Sequence, residues 1–123
     1  MKTIITCLCL SLLPLGQIMT GQVKLYGTWK LVKVTWNNEE IIPIESFQLT
    51  INAEKASYNL EVNGCESSNL IITENSILMN RVNCTMICCD SELGNGINYS
   101  GDYKIKNDTL SIINDRIYTF IRQ

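Results

Sequence analysis

The sequence contains no histidine, and this absence removes a large part of the enzyme repertoire. Without imidazole the chain has no Ser-His or Cys-His nucleophile, no histidine-ligated zinc and no imidazole general base. An excess of charge of one sign is also missing, because ten basic residues face twelve acidic ones. That balance is too even for a surface that attracts nucleic acids or anionic membranes. We therefore expect no nucleic-acid partner, no metal and no other cofactor.

Apolar residues are plentiful by contrast, since 46% of the 123 residues are hydrophobic and 18% are charged. This composition is typical of a chain that folds and not of a disordered tail. The length fits one ordinary domain. No linker, repeat or low-complexity tract divides the sequence. We therefore expect a single folded domain.

The first 21 residues have the features of a secretory signal peptide. Lys2 supplies a short positive start, and residues 4–15 form an apolar stretch that ends just before Gly16. A transmembrane helix would need roughly 20 unbroken apolar residues, which this stretch lacks. The sequence therefore predicts a signal peptide at residues 1–21 and no stable membrane insertion.

The two cysteines of this segment do not indicate a lipoprotein. Cys7 and Cys9 precede most of the apolar run, so neither is placed to become the first residue after cleavage. The mature domain then covers residues 22–123. We expect it to be a secreted or periplasmic soluble protein.

Four cysteines belong to the mature domain: Cys65, Cys84, Cys88 and Cys89. An even number in an exported chain favours disulfide bonds, because the compartment is oxidising. A zinc site is the rival interpretation, but zinc ribbons need two paired knuckles and Cys65 stands alone. The adjacent Cys88 and Cys89 are poorly placed to bond each other. We therefore expect Cys65 to bond one of them and Cys84 to bond the other.

The one remaining route to catalysis is a reactive thiolate. Cys88 or Cys89 beside Arg81 would supply such a nucleophile if its thiol stayed reduced. Oxidation in the exported compartment removes the thiol, and no general base accompanies it. We therefore expect the protein not to be an enzyme.

Alternation of apolar and polar residues with a period of two runs through most of the chain and predicts an all-β domain. In residues 27–36 the apolar positions change parity after Leu31, which indicates a bulge or a crossing between two sheet halves. About eight short antiparallel strands would form a small barrel or pseudo-barrel, with at most one short helix in residues 85–93. The predicted strands cover residues 27–36, 47–51, 56–62, 69–73, 76–83, 97–105, 110–112 and 117–121.

The interior of a barrel of this size holds either side chains or one small ligand. Six bulky residues are predicted to point inward and to be large enough to fill it. They are Tyr58, Leu60, Tyr99, Tyr103, Tyr118 and Phe120.

Two segments give the chain a resemblance to a known family. Asn63-Gly64-Cys65, followed after a strand pair by the run from Cys84 through Met86 to Cys88, resembles the META domain of the heat-shock protein HslJ and its relatives. The resemblance implies a small exported β-barrel without catalytic activity, in which Cys65 bonds Cys88. It also implies structural roles for Gly64 and Met86 and a binding or envelope-stabilising role under stress.

A second resemblance competes with the first. Gly27-Thr28-Trp29 is similar to the glycine-x-tryptophan signature of lipocalins, in which a tryptophan closes the barrel floor and a late arginine packs across it. Arg116 or Arg122 would take that part. The resemblance implies a carrier of a small hydrophobic ligand. A tryptophan that fills the core of either barrel explains Trp29 equally well. We expect an unidentified protein partner, with the lipocalin-like carrier as the alternative.

Overall fold

The computed structural model describes residues 24–123, so the predicted signal peptide at residues 1–21 lies outside the described residues. The described chain contains nine strands and a four-residue helix between the sixth and seventh of them. The elements are β1 (Gly27–Trp36), β2 (Glu39–Ile41), β3 (Gln48–Ile51), β4 (Ala56–Asn59), β5 (Gly64–Ile72), β6 (Ser76–Cys84), α1 (Glu92–Asn95), β7 (Gly101–Lys106), β8 (Thr109–Ile113) and β9 (Ile117–Arg122).

Eight of these strands close into an antiparallel barrel. They pair in the order β1-β3-β4-β5-β6-β7-β8-β9, and pairing of β1 with β9 completes the ring. The short strand β2 lies outside the ring and pairs with the last residues of β1. The closed barrel removes the exposed sheet edges that an open sheet would leave. The predicted all-β fold class is confirmed.

Strand β1 contains the predicted bulge. Its pairing with β9 shifts register between Leu31 and Lys33. Trp29 and Leu31 are buried before the shift, and Val34 is buried after it. One extra residue reverses which side chains face the interior, so both halves of the strand place apolar residues inside.

Two short turns also agree with the sequence. Strands β3 and β4 form a hairpin in which Leu49 lies opposite Tyr58. Strands β7 and β8 are joined at Asn107, which adopts a φ of 56°. Asparagine tolerates this left-handed backbone better than most residues, as a tight hairpin turn requires.

The strand predicted over residues 97–105 is shorter in the structure, where β7 begins at Gly101. The Asn114 side chain donates to the carbonyl oxygens of Asn98 and Ser100, so a side chain satisfies groups that a strand ladder would otherwise use. At Gly101 a Cβ would clash with the carbonyl oxygen of Ile113. Glycine there allows β7 to approach β8 closely.

The helix predicted within residues 85–93 is displaced. The structure places α1 at Glu92–Asn95, and residues 85–91 form an irregular segment. Ser91 caps the helix, because its hydroxyl oxygen accepts from the Gly94 N–H at 3.3 Å. The preceding segment hydrogen-bonds to the turn at residues 60–63 instead of to itself, which excludes a helix there.

The barrel interior is filled by side chains. Tyr99 is buried in the core and makes edge-to-face contacts with Tyr58, Tyr118 and Phe120, at ring-centroid distances of 5.0, 4.9 and 5.2 Å. Of the residues predicted to point inward, Tyr103 is also buried, Tyr58 is half-buried against the core, and Leu60 lies in the turn after β4. Burial raises the pKa of Tyr99, so its ring stays neutral.

The two ends of the barrel differ in their connections. The end that we call the closed end carries the short turns at residues 52–55, 73–75 and 107–108 and the last residues of β9. The opposite end, the loop end, carries the two long connections and two short ones. These are residues 42–47, 60–63, 85–100 and 114–116.

Candidate functional site

A disulfide bond joins Cys65 to Cys84 at the base of the loop end. The two residues are direct partners in the β5–β6 register, with a Cα–Cα distance of 4.1 Å. Strand β5 begins at Gly64 and not at the predicted residue 69, and this extension brings Cys65 opposite Cys84. The predicted pairing of Cys65 with Cys88 or Cys89 is therefore wrong.

Cys88 and Cys89 are bonded to each other. We expected each of them to bond a more distant cysteine. Since Cys65 and Cys84 occupy each other, these neighbours are the remaining pair among the described cysteines. Both are exposed, whereas Cys65 is only 4% exposed. Cys84 is also exposed, so Cys65 is the one buried cysteine among the four described.

The Asn63 side chain binds the segment of residues 85–90, which contains Cys88 and Cys89. Its Oδ1 accepts from the Ile87 N–H at 2.7 Å and from the Thr85 hydroxyl at 2.9 Å. Its Nδ2 donates to the Ile87 carbonyl oxygen and to the Asp90 carboxylate, both at 2.6 Å. Asn63 is 8% exposed, so its amide is buried, and both the amide oxygen and the amide nitrogen have hydrogen-bond partners.

Asp90 completes the attachment from the other side. Its carboxylate accepts from the backbone N–H groups of Val62 at 2.9 Å and Asn63 at 3.3 Å. Hydrogen bonds to the ionised form lower the pKa of Asp90 below its ordinary value of 3.8, the Asn63 side-chain bond most of all. The segment is therefore tied to the turn at residues 60–63 at both of its ends.

Gly64 and Met86, for which the resemblance implies structural roles, both lie close to Thr85 at the loop end. Gly64 exchanges two bonds with Thr85, donating to its hydroxyl oxygen at 3.1 Å and accepting from its N–H at 3.0 Å. A Cβ on Gly64 would meet nothing within 4 Å, so its lack of a side chain has no steric reason here. Met86 is 94% exposed and belongs to the surface, not to the core.

The most exposed large apolar side chains lie on two loops of the loop end. Ile42 and Ile44 are on the loop of residues 42–47, and Met86 and Ile87 are on the segment of residues 85–90. Ile44 is 99% exposed and Met86 94%. The exposed apolar residues on the barrel wall, such as Leu78, are less than half exposed. We call the four residues Ile42, Ile44, Met86 and Ile87 the apolar rim.

Two surface depressions accompany the apolar rim. One, of about 270 Å³, is lined by Ile42 and Ile44 together with Leu93. The other, of about 480 Å³, is lined by Met86, Ile87 and the sulfur pair that follows them. The turn at residues 60–63 and the segment of residues 90–95 contribute walls to both. Both depressions thus border α1 and the turn at residues 60–63.

Trp29 fills the closed end, as both resemblances require. It is fully buried, and its Nε1 donates to the Leu25 carbonyl oxygen at 2.9 Å. The Arg122 guanidinium carbon lies 4.1 Å from the ring centroid, so Arg122 is the late arginine that packs across Trp29. Arg122 also donates to the carbonyl oxygens of Tyr26 and Lys24. A Cβ on Gly27 would lie 3.0 Å from its Nη1, so glycine leaves room for the guanidinium.

A second arginine covers a second tryptophan at the loop end. The Arg116 guanidinium carbon lies 4.0 Å from the ring centroid of Trp36. Arg116 is buried, and its Nη1 has no hydrogen-bond partner. Both candidate arginines therefore stack on tryptophans, each at its own end of the barrel.

The described residues 24–123 contain no group of three or more Asp, Glu or Cys side chains arranged to hold a metal ion. In the same residues, no helix combines the length and the apolar character needed to cross a membrane. No protein-family model, no curated protein and no solved structure matches the chain, so membership of the META or lipocalin families stays a prediction.

Proposed function

We propose that the protein is a non-catalytic, exported binding module of the META-like type, which contacts another protein through the apolar rim. The near-complete exposure of Ile44 and Met86 carries this proposal. Large apolar side chains this exposed on the loops at one end of a small domain favour an interaction site. A protein partner would remove this surface from water and so stabilise the complex.

Hydrogen bonds fix one of the two segments that form the apolar rim. Asn63 and Asp90 bind both flanks of the segment that carries Met86 and Ile87. Binding to an ordered surface costs less conformational entropy than binding to a mobile loop. The attachment therefore favours recognition of a defined partner, in keeping with an envelope-stabilising role.

Export is supported by two independent features. The Cys65–Cys84 bond is of the kind that persists in oxidising compartments and is rare in the cytosol. The charge and the apolar stretch of residues 1–21 are typical of a cleaved signal peptide. Together they favour a secreted or periplasmic location.

A lipocalin-like carrier of a small hydrophobic ligand is the alternative, and the Trp29–Arg122 stack at the closed end favours it. A carrier needs interior space, whereas Tyr99 and its three aromatic neighbours pack together in the core of this barrel. The filled interior supports binding on the outside of the molecule.

Site-specific photo-crosslinking tests the proposal. A photo-reactive amino acid is placed at position 86 of the full chain, in the cells that make the protein, and adducts are identified after irradiation. We expect a discrete protein adduct that disappears when Ile44→Asp is added, because a carboxylate on the rim opposes apolar contact.

Position 78 is the matched control, since Leu78 is exposed and apolar but lies on the barrel wall. The proposal predicts no adduct from position 78 and no effect of Leu78→Asp on the adduct from position 86. Equal adducts from both positions, or none from position 86, would contradict it.

A further inference from the structure

We propose that the outer surface of β1, β9, β8 and β7 binds an acidic polysaccharide through four lysines. We call this surface the lysine face, and its lysines are Lys30, Lys33, Lys104 and Lys106. It lies on the side of the barrel, whereas the apolar rim lies on loops at the loop end. Binding at the lysine face is therefore independent of the protein that contacts the rim.

Two rows of paired residues cross the lysine face from β1 to β7. The first row consists of Lys30, Ile121, Thr109 and Lys106. The second row consists of Lys33, Thr119, Ser111 and Lys104. A lysine thus stands at both ends of each row. Because neighbouring strands lie about 4.8 Å apart, the two lysines of a row are separated by roughly 14 Å at the backbone.

The side chains of both rows point away from the barrel core. Successive side chains of a strand face opposite sides of the sheet. Tyr103 on β7 and Leu110 on β8 alternate with positions of the two rows, and both are buried. Three of the four lysines are exposed, and the side chain of the fourth, Lys33, is 37% exposed. A ligand outside the barrel therefore has access to all four.

Carboxylates compensate only part of this positive charge. None of the eight positions in the two rows is acidic, and Asp102 of β7 lies beyond the second row. Glu40 pairs with Lys33 at 3.4 Å, whereas Asp108 in the β7–β8 turn pairs with Arg122 at 3.8 Å. Within residues 24–123, the other three lysines of the face form no salt bridge. Although the whole chain carries ten basic and twelve acidic residues, the fold therefore concentrates positive charge on one side of the barrel.

Neutral hydrogen-bonding groups lie between the lysines. Thr109, Ser111 and Thr119 place hydroxyl groups in the middle of the rows. Two of them line a depression of about 390 Å³, together with Lys104 and its neighbours on β7 and the β7–β8 turn. Hydroxyl groups donate and accept hydrogen bonds, as the hydroxyl groups of a sugar do. Ammonium groups at the ends of each row and hydroxyl groups between them are complementary to a chain of sugars that carries spaced acidic groups.

The lysine face lacks the groups that would favour two other kinds of polyanion. Proteins bind single-stranded nucleic acid by stacking its bases on aromatic side chains, and the two rows contain no aromatic residue. Attachment to an anionic membrane combines basic residues with a broad apolar face, and Ile121 is the single apolar residue of the two rows. An acidic polysaccharide can be held by ion pairs and hydrogen bonds alone, so it is the polyanion that this surface fits.

Fluorescence anisotropy of a labelled alginate oligosaccharide, titrated with the full chain, tests the proposal. At low ionic strength we expect saturable binding that weakens as salt is added, because salt screens exposed charges. Lys104→Gln with Lys106→Gln should raise the dissociation constant by at least about fivefold, since it removes two exposed ion pairs with the probe. The same change should roughly halve the slope of log Kd against log salt concentration, because that slope follows the number of charges neutralised.

Lys55→Gln with Arg81→Gln is the matched control. It removes the same amount of charge from the turn before β4 and from β6, which lie outside the lysine face, and it should leave the affinity and the salt slope unchanged. Equal weakening by the two double variants, or none by either, would overturn the proposal, because net charge and not the lysine face would then govern binding. Absence of binding to alginate at low ionic strength would overturn it too. So would equal or tighter binding of a single-stranded DNA oligonucleotide with the same number of charges.

Discussion

The two ends of the barrel carry the same pair of residues, an arginine over a tryptophan, in different surroundings. At the closed end Trp29 is fully buried, and Arg122 both covers it and binds two backbone carbonyl oxygens. At the loop end Trp36 is half-buried, and Arg116 keeps an Nη1 atom without a partner. The closed end thus has the satisfied polar groups of a structural seal. The loop end leaves the Arg116 Nη1 without a partner and carries the exposed apolar rim, as expected of a surface used for binding.

The largest expected effect comes from removing each tryptophan. Trp29→Ala should lower the free energy of unfolding by about 3–5 kcal/mol, because it leaves a cavity in a fully buried site. Trp36→Ala should cost less than about 2 kcal/mol, since this ring is only half-buried. Urea denaturation of both variants measures the difference. Equal costs would remove the distinction between the two ends.

The two sulfur pairs give the next largest contrast. Cys65→Ala with Cys84→Ala should lower the free energy of unfolding by about 3 kcal/mol, since the unfolded chain regains the freedom of a long loop. Cys88→Ser with Cys89→Ser should change it by less than about 0.5 kcal/mol, as is usual for exposed positions. Thermal unfolding followed by circular dichroism compares the two double variants. The opposite order would contradict the assignment of the Cys65–Cys84 bond as the structural one.

Replacing the arginines with methionine sharpens the comparison. Arg122→Met should cost about 1–2 kcal/mol, because two backbone carbonyl oxygens lose their donor and Trp29 loses the cation above its ring. Arg116→Met should stay within about 1 kcal/mol of the unchanged protein, since it removes a buried Nη1 that has no partner. Chemical denaturation at low and high salt measures both variants. A larger loss for Arg116→Met would show that the loop-end arginine is a structural seal as well.

The smallest effect is the acid dependence that Asp90 contributes. Its pKa is lowered in the folded protein and returns to the ordinary value of 3.8 on unfolding, so the unfolded chain binds the proton more readily. The resulting stability is fully present above that ordinary value and is lost as the pH falls through the lowered pKa. Asp90→Asn should flatten the pH dependence of the free energy of unfolding in this acid range. An unchanged slope in Asp90→Asn would show that these hydrogen bonds contribute no acid dependence.

Much of the fold follows from local sequence patterns. The change of parity after Leu31 predicts the irregularity found in β1. The gap between the predicted strands 97–105 and 110–112 contains the β7–β8 turn. The lipocalin resemblance also predicts that a late arginine packs across Trp29, as Arg122 does. The three-residue strand β2 was missed, because Glu39 and Glu40 give it no apolar alternation and it depends on pairing with β1.

The disulfide pairing was missed although the sequence held the signal for it. The short gap between the predicted strands 69–73 and 76–83 fixes the register of this hairpin. Continued without a net shift from Ile72 opposite Ile77, that register places Cys65 opposite Cys84. Because this strand was predicted to begin at residue 69 and not at Gly64, the pairing of Cys65 with Cys84 was missed.

The attachment of the loop end had no comparable signal. Asn63 and Asp90 are far apart in sequence, and their hydrogen bonds depend on how the barrel brings the turn and the segment together. Polar contacts between distant irregular segments follow no sequence period, so pattern analysis does not find them. The exposure of Met86 was hidden for the same reason.

Titration with a fluorescent fatty acid tests the central claim, that a filled barrel binds on its outside, most directly. The account predicts no saturable binding by the unchanged protein up to the solubility of the probe. Tyr99→Ala, which removes a buried ring from the core, should gain binding of a small apolar probe such as benzene. Saturable micromolar binding of the fatty acid by the unchanged protein would contradict the account and identify a carrier.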